Sequence, residues 1–170
     1  MGGLLVATWQ IHDAAATGTT DDGTGLAGND TLDGGLGNDT LAGGVGADTY
    51  RFSRGHGVDT VQDNDTTSGV ADRIEFGAGI VQSDLTFSKS GNHLVASING
   101  TADQLLVQDW YLGTQYRVEE FRFTDGSVLS DTQVQGLISA MAGFSAGTGS
   151  GAVVPTMRIP SQDLVATSYV

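Results

Sequence analysis

Gly25 to Arg51 reads GLAGNDTLD, GGLGNDTLA, GGVGADTYR: three units of nine residues in unbroken register. A fourth and looser unit, RGHGVDTVQ, begins at Arg54 after a slip of two residues. Glycine holds the fourth position (Gly28, Gly37, Gly46, Gly57) and aspartate the sixth (Asp30, Asp39, Asp48, Asp59). An apolar residue holds the eighth (Leu32, Leu41, Tyr50, Val61). Upstream, Thr17 to Thr24 shares the Gly/Thr/Asp composition but does not align with the repeat.

The first six residues of a unit turn the chain, and glycine serves wherever φ is positive or backbones crowd together. The last three, such as Thr31-Leu32-Asp33, suit a very short strand whose middle side chain points inward. Such a strand cannot stand alone, so successive units must stack. With two units per turn of the coil, Leu32 and Tyr50 fall on one sheet and Leu41 and Val61 on the other. Stacking also brings Asp30 near Asp48 and Asp39 near Asp59, which repel. Ordering each residue costs roughly 1–2 kcal/mol, glycine most of all, and the apolar core is thin.

A divalent cation between stacked turns offsets both costs. The carboxylates of Asp30, Asp39, Asp48 and Asp59 with turn carbonyls of Gly28, Gly35, Gly37, Gly44 and Gly46 make an all-oxygen shell. That shell suits calcium, whereas magnesium demands tighter octahedral placement. The segment is therefore expected to fold when calcium binds.

Composition points the same way. The 170 residues carry 20 acidic and 7 basic side chains, a formal net charge of −13. Aspartate supplies 17 of the acids, and 11 of those lie between Asp13 and Asp72, so the charge is local. Such a surface repels nucleic acid and attracts cations. With no cysteine there are no disulfides, thiolate nucleophiles or cysteine-based zinc sites. His12, His56 and His93 share no metal-ligand spacing, and His56 reads as an exposed turn residue. No apolar run approaches the ~20 residues that cross a bilayer. Met1 to Trp9 lacks a basic n-region and cleavage site, so no N-terminal secretory signal is expected.

GGLGNDTLA and GGVGADTYR resemble the nonapeptide of the repeats-in-toxin (RTX), haemolysin-type calcium-binding proteins, a repeat that binds calcium in a β-helix. The resemblance runs from Gly25 to about Asp65, and it implies a short parallel β-roll. The stretch VQDWYLGTQYRVEEFRFTDGSVL, anchored by Trp110, Tyr116, Phe121 and Phe123, is similar to the β-rich module that follows such repeats in exported bacterial proteins. That likeness implies a cap that closes the roll and nucleates its folding. The family also implies export by a type I (ABC-transporter) machine that reads an uncleaved C-terminus. Asp163 to Val170, an acidic residue followed by apolar ones, is similar to such signals.

The expected fold is all-β: an N-terminal flank (1–22), the calcium β-roll (23–65), an antiparallel β-rich cap (66–129), a helix (130–142) and a flexible tail (143–170). Strands are expected at 72–76, 85–87, 94–98, 105–107 and 118–123. Val134, Leu137, Ile138 and Met141 form one helical face, capped by Ser130 or Asp131. The tail is Gly/Ser/Ala/Thr-rich.

Other motifs are weaker. Gly143-Phe144-Ser145-Ala146-Gly147 matches G-x-S-x-G, but a helix precedes it and no histidine follows. Asp63-Asn64-Asp65 fails as an EF-hand, with Ser68 at the sixth position and Ile74 at the twelfth. Asp63, Asp65 and Asp72 either complete a calcium site at the roll's end or form a solvated turn. Asn29, Asn38, Asn64 and Asn99 begin N-x-T sequons that fall out of the repeat and its turns. Trp110 reads as core, with sugar stacking as the alternative. Glu119 and Glu120 adjoin on a strand and so face opposite ways.

The expectation is a non-enzymatic, secreted calcium module that folds outside the cell and supports export of its passenger. The rivals are a calcium-rigidified cell-surface or polysaccharide-binding module, and the non-catalytic end of a secreted hydrolase or toxin.

Overall fold

The computed structural model describes residues 10–12, 22–25 and 27–145. In chain order the strands are β1 (Gln10–His12), β2 (Asp22–Thr24), β3 (Thr31–Asp33), β4 (Thr40–Ala42), β5 (Thr49–Phe52) and β6 (Val58–Val61). There follow β7 (Arg73–Phe76), β8 (Leu85–Ser90), β9 (His93–Ile98), β10 (Gln104–Val107), β11 (Glu120–Arg122) and β12 (Val128–Ser130), then the helix α1 (Asp131–Ser145). The described residues are β-rich with one short helix.

Strands from the repeats alternate between two sheets. One runs β1-β3-β5-β7-β11-β12 and the other β2-β4-β6-β10-β9-β8. Leu32 pairs with Tyr50 in the first and Leu41 with Val61 in the second, both in parallel register. The split expected from two units per turn is thus present. Each of these four residues is at most 1% exposed.

The later strands do not form a separate antiparallel cap. β7 lies parallel to β5 and β11 parallel to β7, while β10 lies parallel to β6. Only β8, β9 and β12 are antiparallel to their neighbours. The physical reason is the open parallel edge left by β5 and β6, whose N–H and C=O groups the next strands satisfy. Both sheets are therefore mixed. One apolar core runs through the two regions, from Leu32 and Leu41 to Trp110, Phe121 and Leu129.

Ser130 closes β12 and caps α1. Its Oγ accepts the Gln133 N–H at 3.2 Å, and its own N–H donates to Gln133 Oε1 at 2.8 Å, a reciprocal capping box. Val134 is buried, with Leu137 and Ile138 packed against the core. The side chain of Met141 lies outside those described. The helix runs three residues past the expected end, so Gly143, Phe144 and Ser145 lie in its last turn. No strand leads into Ser145, and the strand–turn–helix setting of a nucleophile elbow is not there. Residues 146–170, with the expected tail and export signal, lie outside the described residues. Among the described residues no helix is long and apolar enough to cross a membrane.

Candidate metal centre

Asp30, Asp39, Asp48 and Asp59 are buried, none more than 2% exposed. They are stacked in two columns. Asp48 Oδ1 accepts the Asp30 N–H at 2.8 Å, and Asp59 Oδ1 accepts the Asp39 N–H at 3.1 Å. The first column continues beyond the repeats. Asp72 Oδ1 accepts the Asp48 N–H at 2.7 Å, and Glu119 Oε2 accepts the Asp72 N–H at 2.8 Å. Asp48, Asp59, Asp72 and Glu119 thus each use one oxygen to pin the backbone of the coil before it. The second oxygen of Asp48 and of Asp59 is buried and receives no hydrogen bond.

Glycine shapes the space around those oxygens. A side chain at Gly34 would run into the Asp39 carboxylate, and one at Gly43 into that of Asp48. At the fourth position Gly46 has φ +133°, and a Cβ there would strike the Gly28 carbonyl. Gly57 bears the same relation to the Gly37 carbonyl. Gly35 and Gly44 also have positive φ, at 77° and 99°. Carboxylate and carbonyl oxygens are therefore crowded in the turns with no side chain able to enter, a donor set that fits a hard cation. Among the described residues no three Asp, Glu or His side chains converge on one point. A cation held here must take much of its shell from the main chain or water.

Burial works against ionisation in these columns. It pushes the Asp48 carboxyl up to about 6, with the charges of Asp72, Asp30 and Asp65 adding and the Asp30 N–H opposing. It pushes Asp59 up to about 7, with Asp39, Asp33 and Asp103 adding. Asp63 is 3% exposed and is pushed up to about 9, first by burial and then by Asp72. Asp65 differs. Burial opposes its charge, yet the Thr67 hydroxyl and the N–H groups of Gly46 and Thr67 hold its carboxyl below the ordinary range. Its Oδ2 takes the Gly46 N–H at 3.0 Å and its Oδ1 the Thr67 N–H at 2.7 Å.

Several contributors escaped the sequence reading. Asn29 Oδ1 accepts the Ala47 N–H at 3.0 Å, and Asn38 Oδ1 the Val58 N–H at 2.8 Å. Their recurrence one place before the aspartate was the available signal. Asp103 grips the last loop, taking the Gly55 and Gly57 N–H groups at 2.9 and 3.0 Å. Nothing local marks that role, nor that of Glu119. His56 is not an exposed turn residue: its side chain is 12% exposed and meets the Phe52 ring edge-on at 5.7 Å. Trp110 is fully buried beside Phe121, so its face cannot stack on a sugar.

Stacked turns lined by buried aspartates, with glycine wherever a side chain would meet a carboxylate or carbonyl, are the arrangement expected of a calcium-binding nonapeptide repeat. Residues 16–56 match the RTX calcium-binding nonapeptide repeat in four copies, and residues 93–133 match the haemolysin-type calcium binding protein related domain. The chain carries RTX repeats, and RTX nonapeptide repeats bind calcium. It is 43% identical over 92 residues to the iron-regulated protein FrpA of Neisseria meningitidis serogroup C. That alignment covers 52% of this chain and 8% of FrpA. The repeat match begins at Ala16 and so takes in Thr17 to Thr24, which lies outside the regular nine-residue register. The reason is visible in the register: Gly23 stands opposite Leu41, with no side chain at the inward position.

Proposed function

We propose that residues 23–65 are a calcium-loaded β-roll which folds on meeting calcium outside the cell and supports export and folding of the protein that carries it. Asp30, Asp39, Asp48 and Asp59 supply carboxylates, and Gly28, Gly35, Gly37, Gly44 and Gly46 supply carbonyls. The observation that carries this reading is the stack of buried aspartates, in which Asp48, Asp59 and Asp72 each spend one oxygen on the neighbouring coil. In Asp48 and Asp59 the other oxygen is left buried without a donor. A buried carboxylate oxygen with no donor destabilises the fold until a cation reaches it.

Residues 66–129 complete both sheets and fix the last coil, through Asp103 and Glu119. In a cytosol poor in calcium the repeats stay unfolded and thread a type I secretion channel. At the millimolar calcium found outside, sites with dissociation constants of roughly 10⁻⁴–10⁻³ M fill and draw the chain into its fold.

Far-UV circular dichroism during a calcium titration, with magnesium as control, tests this. A cooperative gain of β signal with calcium alone is the expected result, and an Asp39→Ala/Asp48→Ala double variant should shift or abolish the transition. A chain already folded in chelator and unmoved by calcium would overturn it.

A further inference from the structure

The outer face of the first sheet departs from the acidity of the rest. Arg51, Arg73 and Arg122, three of the six basic side chains among the described residues, stand on it. Glu75 and Glu120 stand with them, two of the three glutamates in the chain. Tyr50, Phe52, Ile74, Phe76 and Phe121 are buried, so the residues that alternate with them point outward. The five charged side chains are 34 to 45% exposed.

Along β7 this face presents Arg73 and then Glu75; along β11 it presents Glu120 and then Arg122. The parallel register sets Arg73 beside Glu120 and Glu75 beside Arg122, a two-by-two checkerboard of charge. Arg51 on β5 adjoins Glu75, and Val128 on β12, 45% exposed, adjoins Arg122. Glu75 lies 3.7 Å from the Nε of both Arg51 and Arg73, while Glu120 Oε2 accepts the Arg122 Nε–H at 2.8 Å. Pairs open to water, as these are, contribute little to stability.

A checkerboard is complementary to itself. Turned over by a two-fold axis lying in the face, each arginine lands on a glutamate and each glutamate on an arginine. The molecule as a whole carries −13 and repels its own kind, whereas on this face three positive charges meet two negative ones.

We propose that a second copy of the chain docks on this face, forming a two-fold dimer with the β7–β11 checkerboards opposed. Facing sheets pack about 10 Å apart, a gap that extended arginine and glutamate side chains bridge. Water excluded between the faces strengthens each pair. Charge matched in this way sets orientation more than affinity. The strands β5, β7, β11 and β12 together span only about 20 Å, which falls short of the ~800 Å² per partner of a standard interface. The dimer is therefore weak, dependent on concentration and sensitive to salt.

Sedimentation velocity of the full chain at saturating calcium tests this, over a concentration series at low and high salt. The wild type should pass from monomer to dimer as concentration rises, and high salt should reverse it. Arg73→Glu/Arg122→Glu makes the face uniformly negative and should stay monomeric while keeping the β signal. Inverting all four charges, as Arg73→Glu/Glu75→Arg/Glu120→Arg/Arg122→Glu, restores a checkerboard and should restore the dimer. Should the double variant fail to fold, Arg122→Glu alone replaces it and should weaken the dimer. A wild type monomeric throughout overturns the proposal, as does a dimer that none of these substitutions weakens.

Discussion

Gly46 and Gly91 both have positive φ, at 133° and 60°, yet they should respond differently to a methyl group. Gly91 sits in the open β8–β9 turn with nothing within 4 Å of a built Cβ, so Gly91→Ala meets only backbone strain, of order 1–2 kcal/mol. Gly46→Ala adds a collision with the Gly28 carbonyl, which is backbone and cannot swing aside. Urea unfolding at saturating calcium should show Gly46→Ala as the more damaging, with a raised calcium midpoint as well.

The aspartates make a pH prediction at the same scale. In the fold Asp48, Asp59 and Asp63 protonate near pH 6, 7 and 9, against an ordinary value of 3.8, chiefly through burial. Between about pH 4 and 9 the unfolded chain therefore holds fewer protons than the folded one, and metal-free stability falls as pH rises. Far-UV circular dichroism in chelator should show more residual β signal at pH 5 than at pH 8. Calcium displaces those protons, so its binding should acidify a weakly buffered solution. Metal-free stability that rises with pH across this range would contradict the assignment.

Among the elements, β11 and α1 show how the later region supports the repeats. Glu119, just before β11, is the last carboxylate of the first column. Glu119→Ala leaves the Asp72 N–H without its acceptor and should cost about 1–3 kcal/mol by urea unfolding in calcium. Glu119→Gln keeps an acceptor and should cost less. In α1 the Ser130 cap is separable from the metal. Ser130→Ala should lower stability by about 1 kcal/mol, with no change in the number of calcium ions bound.

Over the whole molecule, the repeats do not own a complete core. Val61 and Ile74 are sealed by Val107 and Phe121, their register partners in β10 and β11. A chain ended after residue 92 lacks both strands and the two clamps of Asp103 and Glu119. It should show no cooperative calcium-driven gain of β signal by circular dichroism, whereas the full chain does. A truncated chain that folded with calcium at an unchanged midpoint would mean that the repeats are self-sufficient.

The period of nine, the inward residues Leu32, Leu41, Tyr50 and Val61, their division between two sheets, and the pairing of Asp30 with Asp48 and Asp39 with Asp59 were all readable from sequence. Each follows from rules that act within one unit or between equivalent places in adjacent coils, and repetition restates them. Tertiary structure alone decided the rest. Gly23 hid an earlier coil because its inward place carries no side chain. The strands after residue 66 joined the existing sheets because an open parallel edge takes the next available strand. Glu119 and Asp103 became extensions of the repeat region through contacts 46 to 48 residues away in the chain. Burial of His56, Trp110 and Asp63 likewise depends on what packs over them, and no local pattern carries that information.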